Sequence, residues 1–170
     1  MNKNQAETSI GFEKINADIS EMDGKYLTFF TDDQIFGIPI AHVVQIVGMQ
    51  KITEMPEFPN YAKGIINLRG SIIPVIDIRL RLGKPERSYD ERTCIIVTQI
   101  NESDIGFIVD SVDSVTDIDE ENIAQPPKVT SGYSNAYVTG IAKYNQSVVL
   151  LIDIEKILSN EVTKDIINSI

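Results

Sequence analysis

From Lys25 onward, apolar and polar residues alternate with the period of β-strands, in short bursts separated by polar turns. Tyr26 to Thr31 and Ile35 to Ile38 flank Asp32-Asp33 and predict a hairpin. Ile40, Val43, Val44 and Val47 stand at i, i+3, i+4 and i+7, so Pro39 to Val47 predicts a short helix. Pro56 and Pro59 bracket a loop before a strand from Tyr61 to Leu68. Ser71 to Ile78 is almost wholly apolar, as in a strand covered on both faces. Pro74 within it cannot donate to a ladder, so an edge or bulge is expected there. Asp77 reads as the cap of a short helix from Ile78 to Leu82, stopped by Gly83. The rest repeats the plan: strands near 93–100 and 104–110, an irregular stretch over 111–125, then strands near 136–144 and 147–152. After Asp153, a helical stripe of Ile154, Ile157, Leu158, Val162, Ile166 and Ile170 is expected to pack on the strands. Residues 1–23 read either as a flexible tail or as a docking helix carrying Phe12, Ile15, Ile19 and Met22.

This recurrence reaches individual residues. Gly64, Ser71, Ile76, Asp77 and Ile78 return as Gly140, Ser147, Ile152, Asp153 and Ile154, all at one offset. Gly37, Val43 and Ile46 return as Gly106, Val112 and Val115, at a second and slightly shorter offset. Two related halves imply a fused pseudo-dimer whose informative surface is its seam. The polar turn is where they differ. Asn67-Leu68-Arg69-Gly70 in the first half becomes Lys143-Tyr144-Asn145-Gln146 in the second.

A chain of 170 residues suits one domain or two subdomains sharing a core, because halves of this size are marginal alone. The net charge of −10 argues against nucleic acid and against adsorption to anionic lipid. The first residues lack the apolar core of a secretory signal, and no apolar run is long enough to span a bilayer. A cytoplasmic protein is expected. Cys94, the one cysteine, excludes an internal disulfide and a cysteine zinc cage; it reads as a small buried hydrophobe.

Candidate chemistry is sparse. His42 is the single histidine and reads as structural, and no nucleophile elbow, metal-ligand cluster or phosphate loop is present. Asp117, Asp119, Glu120 and Glu121 form an acidic loop without calcium-ligand spacing, so solvation explains them. Asp77 and Asp153, one from each half, could be compared with the carboxylate pair of a two-lobed protease. Both begin helices, however, and capping accounts for them better. No enzyme activity and no cofactor are expected.

The stretch Lys63-Gly64-Ile65-Ile66-Asn67-Leu68-Arg69-Gly70-Ser71-Ile72-Ile73-Pro74-Val75-Ile76-Asp77 resembles the signature of the CheW family of chemotaxis coupling proteins. Tyr26-Leu27-Thr28-Phe29, Phe36-Gly37-Ile38, Gly106-Phe107-Ile108-Val109-Asp110 and Leu151-Ile152-Asp153-Ile154 extend the likeness over roughly residues 24–160. The resemblance implies a mainly β fold of two interlocked five-stranded barrels about a pseudo-twofold, roughly 24–90 and 91–152, followed by a helical segment over 153–170. It also implies an adaptor joining the cytoplasmic tips of membrane chemoreceptor arrays to the regulatory domain of the histidine kinase CheA. A coupler for a non-chemotactic kinase pathway is the alternative on the same fold. Carried onto this chain, receptor binding falls on Arg69 with Asn67, Leu68 and Gln45, and Val112 and Val115 line the other wall of a groove. Kinase binding falls on Val43 and Gly64. Gln45 stands where the family often has a Glu that pairs with this Arg, so here a hydrogen-bond acceptor is kept but the strength of a charged acceptor is lost.

Overall fold

The computed structural model describes residues 22–126, 137–158 and 161–168, the side chains of residues 161 and 162 excepted. The described part is mainly β. One sheet has six strands in the order β8-β1-β2-β11-β10-β9, the other five in the order β3-β6-β7-β5-β4. The strands are β1 (Lys25–Thr31), β2 (Gln34–Pro39), β3 (Val43–Gly48), β4 (Ala62–Leu68), β5 (Ser71–Asp77) and β6 (Cys94–Ile100), then β7 (Ser103–Val109), β8 (Ser111–Asp117), β9 (Ile123–Ala124), β10 (Val138–Tyr144) and β11 (Ser147–Ile152).

Neither sheet belongs to one half of the chain. The β1–β2 hairpin of the first half completes the sheet of β8, β10 and β11, while the β6–β7 hairpin of the second completes that of β3, β4 and β5. The exchange is reciprocal in register. β5 runs parallel to β7 with Val75 opposite Gly106, and β11 runs parallel to β2 with Leu151 opposite Gly37. The irregularities repeat as well. A bulge at Val44 in β3 matches one at Asp113 in β8, and one at Lys63 in β4 matches one at Thr139 in β10. Duplication is therefore carried by backbone geometry as well as by residue identity.

The bulges explain where periodicity misleads. Pro39 to Val47 does not form a helix. Ile40–His42 is a single 3-10 turn and Val43–Gly48 is strand β3. The bulge at Val44 puts neighbouring apolar residues on opposite faces and so imitates helical spacing. The stretch 111–125 is likewise more regular than expected. It contains β8, a 3-10 turn at Glu120–Asn122 and β9, and the bulge at Asp113 breaks its alternation. Pro74 lies just before the parallel pairing with β7 begins at Val75, and its antiparallel partner Ile65 spends its own backbone groups on Thr53. Its missing N–H therefore leaves no rung open on the β4 side. The capping expectations hold. Asp77 Oδ1 accepts from the N–H of Arg79 at 2.9 Å and of Leu80 at 3.3 Å, opening the helix Ile78–Arg81. Asp153 Oδ1 does the same for Glu155 at 2.9 Å and Lys156 at 3.3 Å, opening the helix Ile154–Ile157. A second helix covers Glu161–Asn168. Ile154, Ile157, Leu158 and Ile166 of the predicted stripe are buried. Phe12, Ile15, Ile19, Ile170 and the Val162 side chain lie outside the described residues.

Three apolar cores follow from this layout. Val47, Ile66, Ile73, Val75, Ile95 and Val97 fill the five-stranded sheet, and Ala142, Val149, Leu151 and Ile118 fill the other. Between them lies the largest cluster, drawing Leu27, Phe29, Phe36 and Ile38 from one sheet and Val43, Ile76, Ile96 and Phe107 from the other. Phe29 and Phe36 stack at 5.7 Å within it. Strands such as β5, β6 and β7 thus bury one face in a barrel and the other in the seam, which is why they read as unbroken apolar runs. Cys94 packs against the seam, only partly buried.

Two polar locks span the seam. Arg81 lies between two aromatic rings, 5.0 Å from the centroid of Tyr61 and 4.8 Å from that of Tyr137, and its Nε donates to the Ile157 carbonyl at 3.1 Å. Tyr61 and Tyr137 are themselves equivalent: their carbonyls accept from the N–H of Asp77 at 2.7 Å and of Asp153 at 2.9 Å. The second lock is Arg79, whose side chain is 7% exposed. It donates to Asp32 at 2.5 Å, to Asp110 at 2.9 Å and to the Pro85 carbonyl at 3.1 Å. Asp32 sits on the turn of the exchanged β1–β2 hairpin, so this ion pair pins that hairpin to the opposite sheet.

Two measurements test this account. Gly64 has φ +143°, and a Cβ there would overlap the Thr53 carbonyl. Gly64→Ala is expected to cost about 3 kcal/mol in urea unfolding, through strain and loss of the Thr53–Ile65 bridge. The hydrogen bond from Arg79 holds the Asp32 carboxyl below the usual carboxylate range. A lowered folded-state value means stability present above about pH 4 and lost as pH falls through that value. Asp32→Asn should therefore be less stable than the parent at pH 7, with the two unfolding midpoints converging between pH 5 and 2.

Candidate partner-binding site

The divergent turn is the tip of the β4–β5 hairpin. Leu68 pairs with Ser71, leaving Arg69 and Gly70 as a two-residue loop, at φ +53° and +90°. Two positive φ values in a two-residue loop are the signature of a type I′ turn, which favours Asn-Gly because side chains with a Cβ disfavour that region. Asn67 Oδ1 accepts from the Gly70 N–H at 2.9 Å and closes the turn. Leu68 is 9% exposed and anchors the tip in the core of the five-stranded sheet. Asn67 therefore braces the tip, Leu68 anchors it, Arg69 presents a cation and Gly70 admits the turn. Arg69 is the one the fold does not favour where it stands. It is exposed, in a backbone region that costs a non-glycine residue about 1–2 kcal/mol.

The equivalent tip of the other sheet is Asn145-Gln146, at φ +47° and +65°. Its backbone is the same and its chemistry is not. Lys143 replaces the bracing Asn67, and an uncharged amide replaces the guanidinium.

The remaining predicted residues lie on the edge strands. Val43 is 0% exposed and belongs to the seam cluster, where Val112, its equivalent on β8, packs from the other sheet. Val43 is thus core, and Val112 lies partly buried against the same cluster. Gln45 follows the bulge on β3 opposite Val97 and is half-buried. Val115 on β8 is 46% exposed. The two strands form corresponding edges of the two sheets. Gly64 is buried beneath Thr53, which bridges to Ile65 through two 2.9 Å hydrogen bonds. Its requirement is for close backbone approach.

Several features escape a reading of motifs alone. Tyr61 and Tyr137 are separated by the same offset as Gly64 and Gly140, and their recurrence was the one available signal for the Arg81 lock. Ile72 and Val148, also equivalent, are 48% and 55% exposed beside the two hairpin tips. Asp77 is committed to its cap and to the Tyr89 hydroxyl, which donates to Oδ2 at 2.8 Å. Burial, then this bond to the carboxylate, push the Tyr89 phenol far above its ordinary value. His42 ends a 3-10 turn, half-buried. The acidic loop residues Asp117, Asp119, Glu120 and Glu121 are all exposed, with Asp117 paired to Lys25 at 3.3 Å. No described helix is long and apolar enough to cross a membrane.

Comparison with known proteins agrees with this geometry. The CheW-like domain model matches residues 25–162. The chemotaxis protein CheW of Klebsiella aerogenes is 33% identical over 150 residues, covering 85% of this chain and 90% of that protein. The chemotaxis protein CheW of Treponema pallidum is 29% identical over 154 residues, covering 88% and 91%. Among solved structures, the scaffolding protein CheW from Thermoanaerobacter tengcongensis superposes with a TM-score of 0.71 at 39% identity, covering 76% of this chain and 88% of that one. With the family signature on a defined hairpin tip and the domain matched across both interlocked sheets, the chain belongs to the CheW family, whose members are chemotaxis scaffolds rather than enzymes.

Proposed function

We propose that this protein couples chemoreceptor cytoplasmic tips to the regulatory domain of the kinase CheA within membrane-associated arrays. The observation that carries the reading is the placement of Arg69: an exposed guanidinium on a braced turn, in a conformation that Asn or Gly would adopt at lower cost. Retained strain at a surface cation points to recognition, since the turn itself would form more readily with another residue. A planar, permanently charged donor fork beside apolar surface is typical interface hot-spot chemistry. Val115 on β8 supplies apolar surface for the facing wall, with Val112 behind it, and Gln45 offers a neutral amide in place of a carboxylate. Val43 and Gly64 act on kinase docking from inside. The first sets the path of edge strand β3, and the second admits the Thr53 segment against β4. The protein's contribution is then geometric: holding two partners together raises their effective concentration and links their conformations.

Reconstitution with a receptor signalling fragment and CheA, with kinase autophosphorylation as readout, tests the assignment. Arg69→Ala and Arg69→Asn are both expected to stay folded and to lose receptor-dependent control of the kinase. Arg69→Asn should also unfold about 1 kcal/mol later than the parent in urea, because Asn tolerates the left-handed turn. Normal coupling by Arg69→Ala would remove the site from this turn.

A further inference from the structure

The two halves share a backbone plan but close their ends differently. In the first half, residues 84–89 lie across the barrel end as a strap. The Lys84 N–H donates to the Arg79 carbonyl at 2.8 Å, Arg79 Nε donates to the Pro85 carbonyl at 3.1 Å, and the Tyr89 hydroxyl donates to Asp77 Oδ2 at 2.8 Å. Asp77 is 1% exposed as a result.

Among the described residues, the equivalent end of the second half holds a cleft of about 560 Å³. Asp153, the counterpart of Asp77, lines it. Its Oδ1 caps the helix Ile154–Ile157 as Asp77 Oδ1 caps its own, but Oδ2 has no partner among the described residues. Buried Ile100, Ile105 and Leu158 form the floor, with Ser103 and Lys164 on the rim. Position 79, a buried Arg that anchors the strap, becomes Glu155, which is exposed; position 32, its Asp partner, becomes Asn101. After the helix Ile154–Ile157 the chain forms the helix Glu161–Asn168, which supplies one wall of the cleft, and no described segment crosses it as the strap does in the first half.

We propose that this cleft receives an extended, tyrosine-bearing segment of a partner protein. The segment lies across the barrel end as residues 84–89 do in the first half. Its phenol donates to Asp153 Oδ2 and its apolar atoms cover Ile100, Ile105 and Leu158. The protein's own strap supplies the template: the same capped Asp, at the same place in the repeat, already binds a tyrosine hydroxyl presented by an extended segment. Tyr89 cannot serve both ends, since it is held at Asp77. This surface is separate from the Arg69 turn and does not depend on the coupling role proposed for it.

The test is amide NMR on the isotopically labelled full chain, titrated with the nonapeptide of residues 84–92 and with the same peptide carrying Phe for Tyr89. Saturable shifts are expected at 100–105, 153–156 and 164–168. The Phe peptide should bind on the order of tenfold more weakly, the effect of a lost hydrogen bond to a charged acceptor. Ser103→Trp and, independently, Asn168→Trp should abolish those shifts while the rest of the spectrum keeps its dispersion. Absence of saturable shifts, equal binding of the Phe peptide, or shifts confined to residues 77–92 through exchange with the protein's own strap would each overturn the proposal. Equal affinity for N-acetyltyrosinamide would also overturn it, by showing a pocket for a small molecule.

Discussion

Everything in this structure depends on the exchange of hairpins between the two halves. Because β1–β2 completes one sheet and β6–β7 the other, neither sheet exists without residues from both sides of the repeat. The seam is thus an internal core and not a docking surface between finished bodies. Its cluster is larger than either barrel interior and holds the only stacked pair of aromatic rings among the described residues. Burial of this kind, at roughly 25 cal/mol per Å² of apolar surface, dominates what polar contacts at the same interface can add. The polar contacts decide geometry instead. Arg81, bracketed by Tyr61 and Tyr137 and bonded to the carbonyl of Ile157, its own counterpart in the repeat, sits where the pseudo-twofold must pass. Each cation–π contact contributes about 0.5–2 kcal/mol, and a rotation of one barrel against the other would break at least one of them.

That constraint bears on how such a protein could transmit anything. The two sheets share one core, and the β4–β5 hairpin that carries Arg69 at its tip contributes residues to the five-stranded sheet's interior and to the seam. Val43 illustrates this. It is fully buried, so in the proposed kinase docking it would act through the line of β3 and its pairing with β6. Gly64 would act in the same indirect manner, since it lets the Thr53 segment lie directly on β4. The residues expected to meet the kinase thus shape an edge, whereas Arg69 is itself presented to solvent.

Much of the fold could be read from the residues, and the failures have definite causes. The doubled apolar runs, the two capping aspartates and the polar hairpin turns located most strands and both short helices correctly. Duplication was visible in two separate offsets, a shorter one for the first hairpin and edge strand and a longer one for the last two strands, so extra chain had to lie between them. What periodicity could not show was a bulge: Val44 made β3 look helical, and Asp113 made β8 look irregular. Nor could it show which hairpin pairs with which sheet, because an exchanged and an unexchanged duplex have identical patterns. Of the site, the tip was legible because Asn-Leu-Arg-Gly broke an otherwise repeated pattern. The locks at Arg79 and Arg81 were not, since each joins residues from three separate elements and leaves no local spacing.

A duplicated fold also separates structural need from added function. Where both copies keep the same residue, as with Asp77 and Asp153 at their caps or Gly37 and Gly106 where a Cβ would strike facing side chains, packing and capping are sufficient reasons. Where the backbone is kept and the chemistry changes, folding alone no longer accounts for the choice. Arg69 against Asn145 is one such place, and the strapped end against the open cleft is the other. At the barrel end, a contact the chain makes with itself in the first half has no counterpart in the second among the described residues; at the hairpin tip, a guanidinium stands where the second half has an amide. With the coupling role and the partner segment proposed above, these two differences would let a single chain hold unlike partners.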